Sequence, residues 1–218
     1  MSMTDTDLVD DVTNELFWDP KVDNASIDVT ADNGRITLSG AVGSLREKRE
    51  AKKAAERVAG VIFVDNQLQV QPELEVGRTD VDIRDDIQQA LLLDLIVPTT
   101  VYADVLDGIV TLSGTADWQY QRDEAELVAS NVVGVLDVFD EIVLTGLKPD
   151  AYDVKQSIKD AFKRNAAIDA DDLSVITSNG TVTVEGTVGS WAEHDEAIDA
   201  AWAAPGVTSV EDYLTVIY

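Results

Sequence analysis

A seven-residue phrase bounded by glycines occurs three times in this chain, and it constrains the fold more than any other feature. It reads GRITLSG at 34–40, GIVTLSG at 108–114 and GTVTVEG at 180–186. The copies start 74 and 72 positions apart. In each, a further glycine (Gly60, Gly134 or Gly206) stands 20 positions after the second of the pair. Val61, Val135 or Val207 follows it at once, and Val64, Val138 or Val210 three positions later. Each copy closes on an alternating apolar pair: Leu68 and Val70, Ile142 and Leu144, Leu214 and Val216. Matched offsets of this kind mean tandem copies of one unit. The expected bounds are 4–71, 78–146 and 150–218. The joins, QPELEVGR at 71–78 and GLKPD at 146–150, are short and contain proline, so the units should be close-set.

Each copy reads as helix, strand, strand, helix, strand. Leu8, Val12 and Leu16 are three to four residues apart and predict a helix with one buried stripe. Ile83, Ile87 and Leu91, then Val154, Ile158 and Phe162, repeat that stripe. Ile27 and Val29, Val101 with Ala103 and Val105, and Leu173 with Val175 read as the first strands. Asn33-Gly34, Asp107-Gly108 and Asn179-Gly180 stand between β runs, the strongest short-range signal for a hairpin. Gly40, Gly114 and Gly186 close the second strands, and the glycines are read as structural, at turns and helix ends. Ser44 with Glu47, and Ser190 with Glu193, match a capping box opening the second helix. The second copy has Asp117 in that region and no acid three places on. Ala51 and Ala55, Ala125 and Ala129, Ala197 and Ala201 should let this helix lie close on the sheet. Gly60, Gly134 and Gly206 should end it in the left-handed conformation. The fold class is therefore α+β: three modules, each a three-stranded mixed sheet covered by two helices.

Charge limits the partners. Forty-two acids face sixteen bases, a formal charge of −26. The excess is shared: −7 over 1–77, −11 over 78–147 and −8 over 148–218. Such a field disfavours nucleic acid and anionic lipid. No window is apolar enough to span a bilayer, and the polar start, MSMTDTDLVDDV, gives the expectation of a cytoplasmic protein. With one histidine and no cysteine, the common zinc and triad constellations cannot be assembled, so no cofactor, metal or enzymatic activity is expected. Asp85-Asp86 and Asp171-Asp172 could hold a divalent cation loosely, but a solvated acidic surface is the default. His194, in the run Glu193-His194-Asp195-Glu196, should lie exposed.

Two groups of residues are candidates for contact. Arg46, Lys48, Arg49, Lys52, Lys53 and Arg57 form one basic island on the second helix of the first copy. Arg46–Glu50 and Lys52–Glu56 are four apart and can support that helix. The island could instead meet an acidic neighbouring module, another copy, or lipid. Trp118, Tyr120 and Trp191 open the second helices of the later copies, and either pack internally or present an interface. Trp18 is expected in core or intermodule packing, and Trp202 on the buried side of its helix.

The glycine-flanked strand, the aromatic start of the second helix (Asp117-Trp118, Ser190-Trp191) and the closure Gly206-Val207-Thr208-Ser209-Val210 together resemble the BON domain. That is the bacterial osmotically inducible and nodulation domain. The resemblance covers all three copies. It implies a non-catalytic binding or scaffold role linked to osmotic or envelope stress. The partner would be a protein the sequence does not name, or another copy in a self-assembling structure. Phospholipid is the alternative implied by the resemblance, and the net charge opposes it.

Overall fold

The computed structural model describes residues 4–72, 78–145, 151–165, 168–169 and 173–217. In the first module, α1 (Asp5–Trp18) leads to the hairpin β1 (Ile27–Asp32) and β2 (Arg35–Val42). Helix α2 (Leu45–Glu56) then crosses to β3 (Phe63–Asn66) and β4 (Gln69–Val70), both parallel to β2. The second module has α3 (Asp80–Leu93), β5 (Tyr102–Leu106), β6 (Ile109–Ala116), α4 (Gln119–Ser130) and β7 (Asp137–Leu144). The third has α5 (Ala151–Arg164), β8 (Leu173–Ser178), β9 (Thr181–Val188), α6 (Trp191–Trp202) and β10 (Ser209–Val216). In every module the glycine-flanked strand is central, with the hairpin strand on one side and the crossover strand on the other. Packing divides the chain into two compact units. One holds the first module with α3, Tyr102–Ser113 and Ala125–Glu141 of the second; the other holds the rest of the second module and the third.

The hairpins turn on two successive left-handed residues. Asn33, Asp107 and Asn179 have φ of 50°, 52° and 50°, and the glycines after them 79°, 75° and 84°. This is the type I′ signature, whose twist matches that of the flanking strands. Each turn glycine also starts the crossover strand. The amides of Ile62, Leu136 and Thr208 donate to the carbonyls of Gly34, Gly108 and Gly180 at 2.8, 2.9 and 2.8 Å. The parallel register is the same in the first and third modules, Arg35 facing Phe63 and Thr181 facing Ser209.

The core of the first module joins Leu8, Val12 and Leu16 of α1, Ala51, Ala54 and Ala55 of α2, and Ile36, Leu38 and Val42 of β2. The third module repeats it with Ile158, Phe162, Val182, Val184, Ala197 and Ala201. In the second, Ile83, Ile87, Leu91, Val110, Leu112, Ala125 and Ala129 are likewise buried. Each large buried side chain contributes about 1.5–3 kcal/mol relative to exposure. The alanines keep the second helix close to the sheet.

Four expectations need correction. First, α2, α4 and α6 stop at Glu56, Ser130 and Trp202, with Arg57 and Ala203 as right-handed caps after the first and last. Gly60, Gly134 and Gly206 come four residues later and turn the chain into the crossover strand, at φ of 93°, 99° and 78°. Second, Gly40, Gly114 and Gly186 sit inside β2, β6 and β9, not in turns. The reason is close approach: a Cβ on Gly40 would lie 2.0 Å from the Ser26 carbonyl oxygen, and one on Gly114 2.0 Å from that of Thr100. Third, the final strand of the first module is interrupted at Gln67-Leu68. Asn66 accepts the Leu68 amide at 3.2 Å and donates to the Lys48 carbonyl at 2.7 Å, and the register resumes without a slip. Fourth, Ser44 and Ser190 do accept from the amides of Glu47 and Glu193, each at 3.1 Å, but the glutamates do not reach back to them. The Glu47 carboxylate accepts from the amides of Asp23 and Gly43 at 2.7 and 2.8 Å; that of Glu193 accepts from Asp169 and Gly189, both at 2.7 Å. Among the described residues the full boxes are at Thr4–Asp7 and Thr79–Asp82, opening α1 and α3.

Gly40→Ala should therefore lower stability by about 3 kcal/mol or more in urea unfolding, because backbone has to move to admit the methyl group. Gly43→Ala, three residues away with only the Glu47 carboxylate at 3.5 Å, should change it by less than about 1 kcal/mol.

Candidate functional site

The basic island lies on α2, and most of its charge is used inside the chain. Arg57 clamps the two helices of the first module, donating to Glu15 at 2.8 Å and to Asp19 at 2.7 Å. Asp19 is nearly buried, and the Arg57 hydrogen bond, with the Lys21 amide second, holds its carboxyl below the usual range. Lys52 pairs with Glu56 at 3.4 Å as its spacing suggests. Glu50 pairs with Lys21 at 2.7 Å rather than with Arg46. Arg49 forms an ion pair with Glu126 on α4, and Arg46 donates to Asn131 at 3.4 Å. The island thus meets an acidic neighbouring module, and that neighbour is in the same chain. Lys53 is exposed.

Beside these contacts is an open crevice of about 570 Å3, lined by Asp23, Ser26, Gly43, Ser44, Glu47, Pro72 and Val133 among others. Of its two carboxylates, Glu47 is occupied by two backbone amides and Asp23 accepts from the Ala25 amide at 3.1 Å. Nothing in the crevice pairs a nucleophile with a base. Among the described residues, no group of three or more histidine, cysteine or acidic side chains could hold a metal ion. Asp85 and Asp86 are paired with Arg84 and Arg78. Asp171 and Asp172 lie outside the described residues.

The two tryptophans at helix starts occupy different positions. Counting from the strand glycine, Trp118 stands where Ser44 and Ser190 do, just before α4, and it is 37% exposed. Its amide and that of Asp117 are held by the Gln121 side chain at 3.2 and 3.0 Å, so an amide does in the second module what Glu47 and Glu193 do in the others. Trp191 is the first residue of α6 and packs half-buried against the core of its module. Tyr120 is well exposed. Trp202 is half-buried against the same core as Trp191. Trp18 is 77% exposed at the end of α1, stacked edge-on against exposed Phe17 at 5.5 Å, and is not part of a core. The helical stripe explains this: residues 17 and 18 follow Leu16 and fall off its face.

His194 is not exposed either. Its ring lies between Asp195 at 3.0 Å and Asp212 of β10 at 2.8 Å, against the Trp191 ring at 4.7 Å. Burial pulls its pKa down, but the two carboxylates outweigh burial and hold it above its ordinary value.

One repeated device escaped the reading of the sequence. The first-turn aspartate of helix one caps the hairpin turn: Asp5 accepts from the Asn33 amide at 3.0 Å, and Asp80 from the Asp107 and Gly108 amides at 2.8 and 3.0 Å. Its signal is the shared Thr-Asp-x-Asp at 4–7 and 79–82.

This geometry defines a tandem-repeat α+β protein in which the shared residues build the frame. The chain belongs to the BON family: the BON domain model matches residues 4–72, 79–146 and 150–218. It is 35% identical over 145 residues to osmotically-inducible protein Y of Escherichia coli (strain K12), covering 64% of this chain and 72% of that protein. Among solved structures it is similar to CdsD, a structural protein of the type III secretion system of Chlamydia trachomatis. The identity is 13%, over 97% of this chain and 92% of that one, with a TM-score of 0.27. The C-terminal domain of the same protein gives 14% identity, 97% and 98% coverage and again a TM-score of 0.27. No helix among the described residues is long and apolar enough to cross a membrane.

A histidine with a raised pKa stabilises the fold fully below its unfolded value and loses that contribution as pH rises through its folded value. The urea midpoint should therefore fall as pH rises from about 6.5, the ordinary histidine value, through the raised folded value of His194. In His194→Gln that fall should disappear, as read by urea titrations across the range.

Proposed function

We propose that this chain is a non-catalytic binding or scaffold protein of the BON type, acting in osmotic or envelope stress. The observation that carries this reading is the division of labour among its residues. The positions shared by all three copies are turn glycines, helix alanines and core side chains. Inside the core the copies exchange one apolar side chain for another, as Leu16, Leu91 and Phe162 do, while differences in charge such as the basic island of α2 lie on the surface. Similarity to the osmotically-inducible protein Y of E. coli supports the osmotic link. Contact with a partner is assigned to Lys52 and Lys53 on α2 and to Trp118 and Tyr120, with Arg46, Arg49 and Trp191, which are engaged within the chain, holding those surfaces in place. A cytoplasmic location belongs to the same reading and is checked by fractionating cells that make the protein.

Phospholipid binding is the second reading, favoured by the exposed Phe17–Trp18 pair and opposed by the charge of −26. Flotation with anionic and neutral vesicles at low and high salt separates the two. The lipid reading fails if the chain floats with neither. For the leading reading, full-length protein is used as bait for cytosolic and membrane fractions, beside Lys52→Glu/Lys53→Glu. A partner retained by the wild type and at least about threefold less by the variant is expected, by the tenfold-per-1.4 kcal/mol arithmetic for losing a fraction of a kcal/mol per rim charge. Sedimentation over a concentration series tests self-assembly. A strictly monomeric chain that retains no protein and floats with no lipid would overturn the binding role.

A further inference from the structure

The three copies serve as internal controls for one another, and one sheet face fails to match. The side of each sheet away from the helices faces outward. In the second module that side carries Tyr102, Leu106, Ile109 and Phe139, exposed by 51, 71, 39 and 54%. Leu106 pairs directly with Ile109, and Tyr102 with Ser113. The order β5-β6-β7 puts Phe139 on the strand flanking β6. The alternating burial of β5, β6 and β7 places all four on the outward side. At the equivalent positions the first module has Asp28, Asp32, Arg35 and Asp65. The third has Ser174, Ser178, Thr181 and Glu211. Four polar or charged positions have become apolar in one copy only. The third module's outward side carries Ile176 and Tyr213 at other positions, exposed by 50 and 63%; a pair of exposed apolar residues needs no explanation, whereas four on one sheet face do.

The charges around the face select its occupant. Asp104 on β5 and Asp137 and Glu141 on β7 share its outward side. No lysine or arginine occurs on β5, β6 or β7. Of the 70 residues at 78–147 only Arg78, Arg84 and Arg122 are basic, against a net −11. The same face of a second copy would bring like acids against these, and an anionic membrane would be repelled. We propose that the outward sheet face of the second module docks a protein segment that is apolar on one side and cationic around it. This inference rests on the binding role above and adds to it a second contact surface, on the sheet rather than the helices, with a stated partner chemistry. Apolar contact would supply affinity, and the acidic rim would supply orientation and encounter rate.

The test replaces the four residues by those of the third module: Tyr102→Ser, Leu106→Ser, Ile109→Thr and Phe139→Glu. The third module folds with these residues at the same places. Binding of an alternating leucine–lysine peptide to full-length protein is read by fluorescence anisotropy, beside leucine–glutamate and all-lysine peptides. The variant is more acidic by one charge, so unspecific attraction to lysine can only rise in it. The expected result is binding of the leucine–lysine peptide by the wild type, at least tenfold weaker binding by the variant, and weak binding of both control peptides throughout. Equal binding by the variant, or equal binding of the all-lysine peptide, would overturn the proposal. So would a dimer in sedimentation, or flotation with vesicles, that the four substitutions abolish, since the occupant would then be a second copy or lipid. A partner captured equally by wild type and variant would overturn this face while leaving the binding role standing.

Discussion

The structure depends on a turn of two left-handed residues. Asn33-Gly34 and its two counterparts reverse the chain with both central φ positive. The same glycine then uses its carbonyl to seat the first amide of the crossover strand. One residue thereby fixes the antiparallel pairing on one side and the parallel register on the other. In the first two modules the turn is held from a third direction by the Asp5 or Asp80 carboxylate. Helix one, the hairpin and the closing strand all meet at this point. That convergence explains why the repeat is legible as a spacing of glycines.

Electrostatics in this chain work by placement rather than by number. With acids outnumbering bases so heavily, each cation is valuable where two elements must be held together. Arg57 joins α1 to α2 through the nearly buried Asp19. Arg49 joins α2 to α4. Exposed ion pairs are worth little singly, so these contacts orient elements more than they stabilise them. Carboxylates do the converse work on backbone amides, as Glu47 and Glu193 do at the starts of α2 and α6.

What was legible in the sequence was whatever repeats locally. The stripes Leu8, Val12, Leu16 and their counterparts, the hairpin turns and the alanine-faced second helix follow from periods of 3.6 and 2 and from turn chemistry. What escaped depends on neighbours far along the chain. Nothing near Gly40 announces the Ser26 carbonyl, and nothing near His194 announces Asp212. Glu47 has the spacing of a capping box, but better donors at Asp23 and Gly43 take its oxygens. Gly60 reads as a helix end because the left-handed requirement is visible in sequence, while its use for strand entry rather than capping is not. Counting from the strand glycine would have shown that Trp118 and Trp191 are not equivalent.

The crossover strand is the last part of each module to be synthesised, and it pairs with the strand made two elements earlier. A nascent hairpin such as β1–β2 must therefore wait, with one edge of β2 unpaired, until α2 and β3 have followed it. Translation favours folding of the N-terminal domain first. The first module can close while the second is still being made, so its own strand reaches that open edge before a look-alike strand from a later repeat exists. The same order of elements that builds the sheet thus guards against pairing between copies, which is the characteristic misfolding hazard of neighbours built on one pattern.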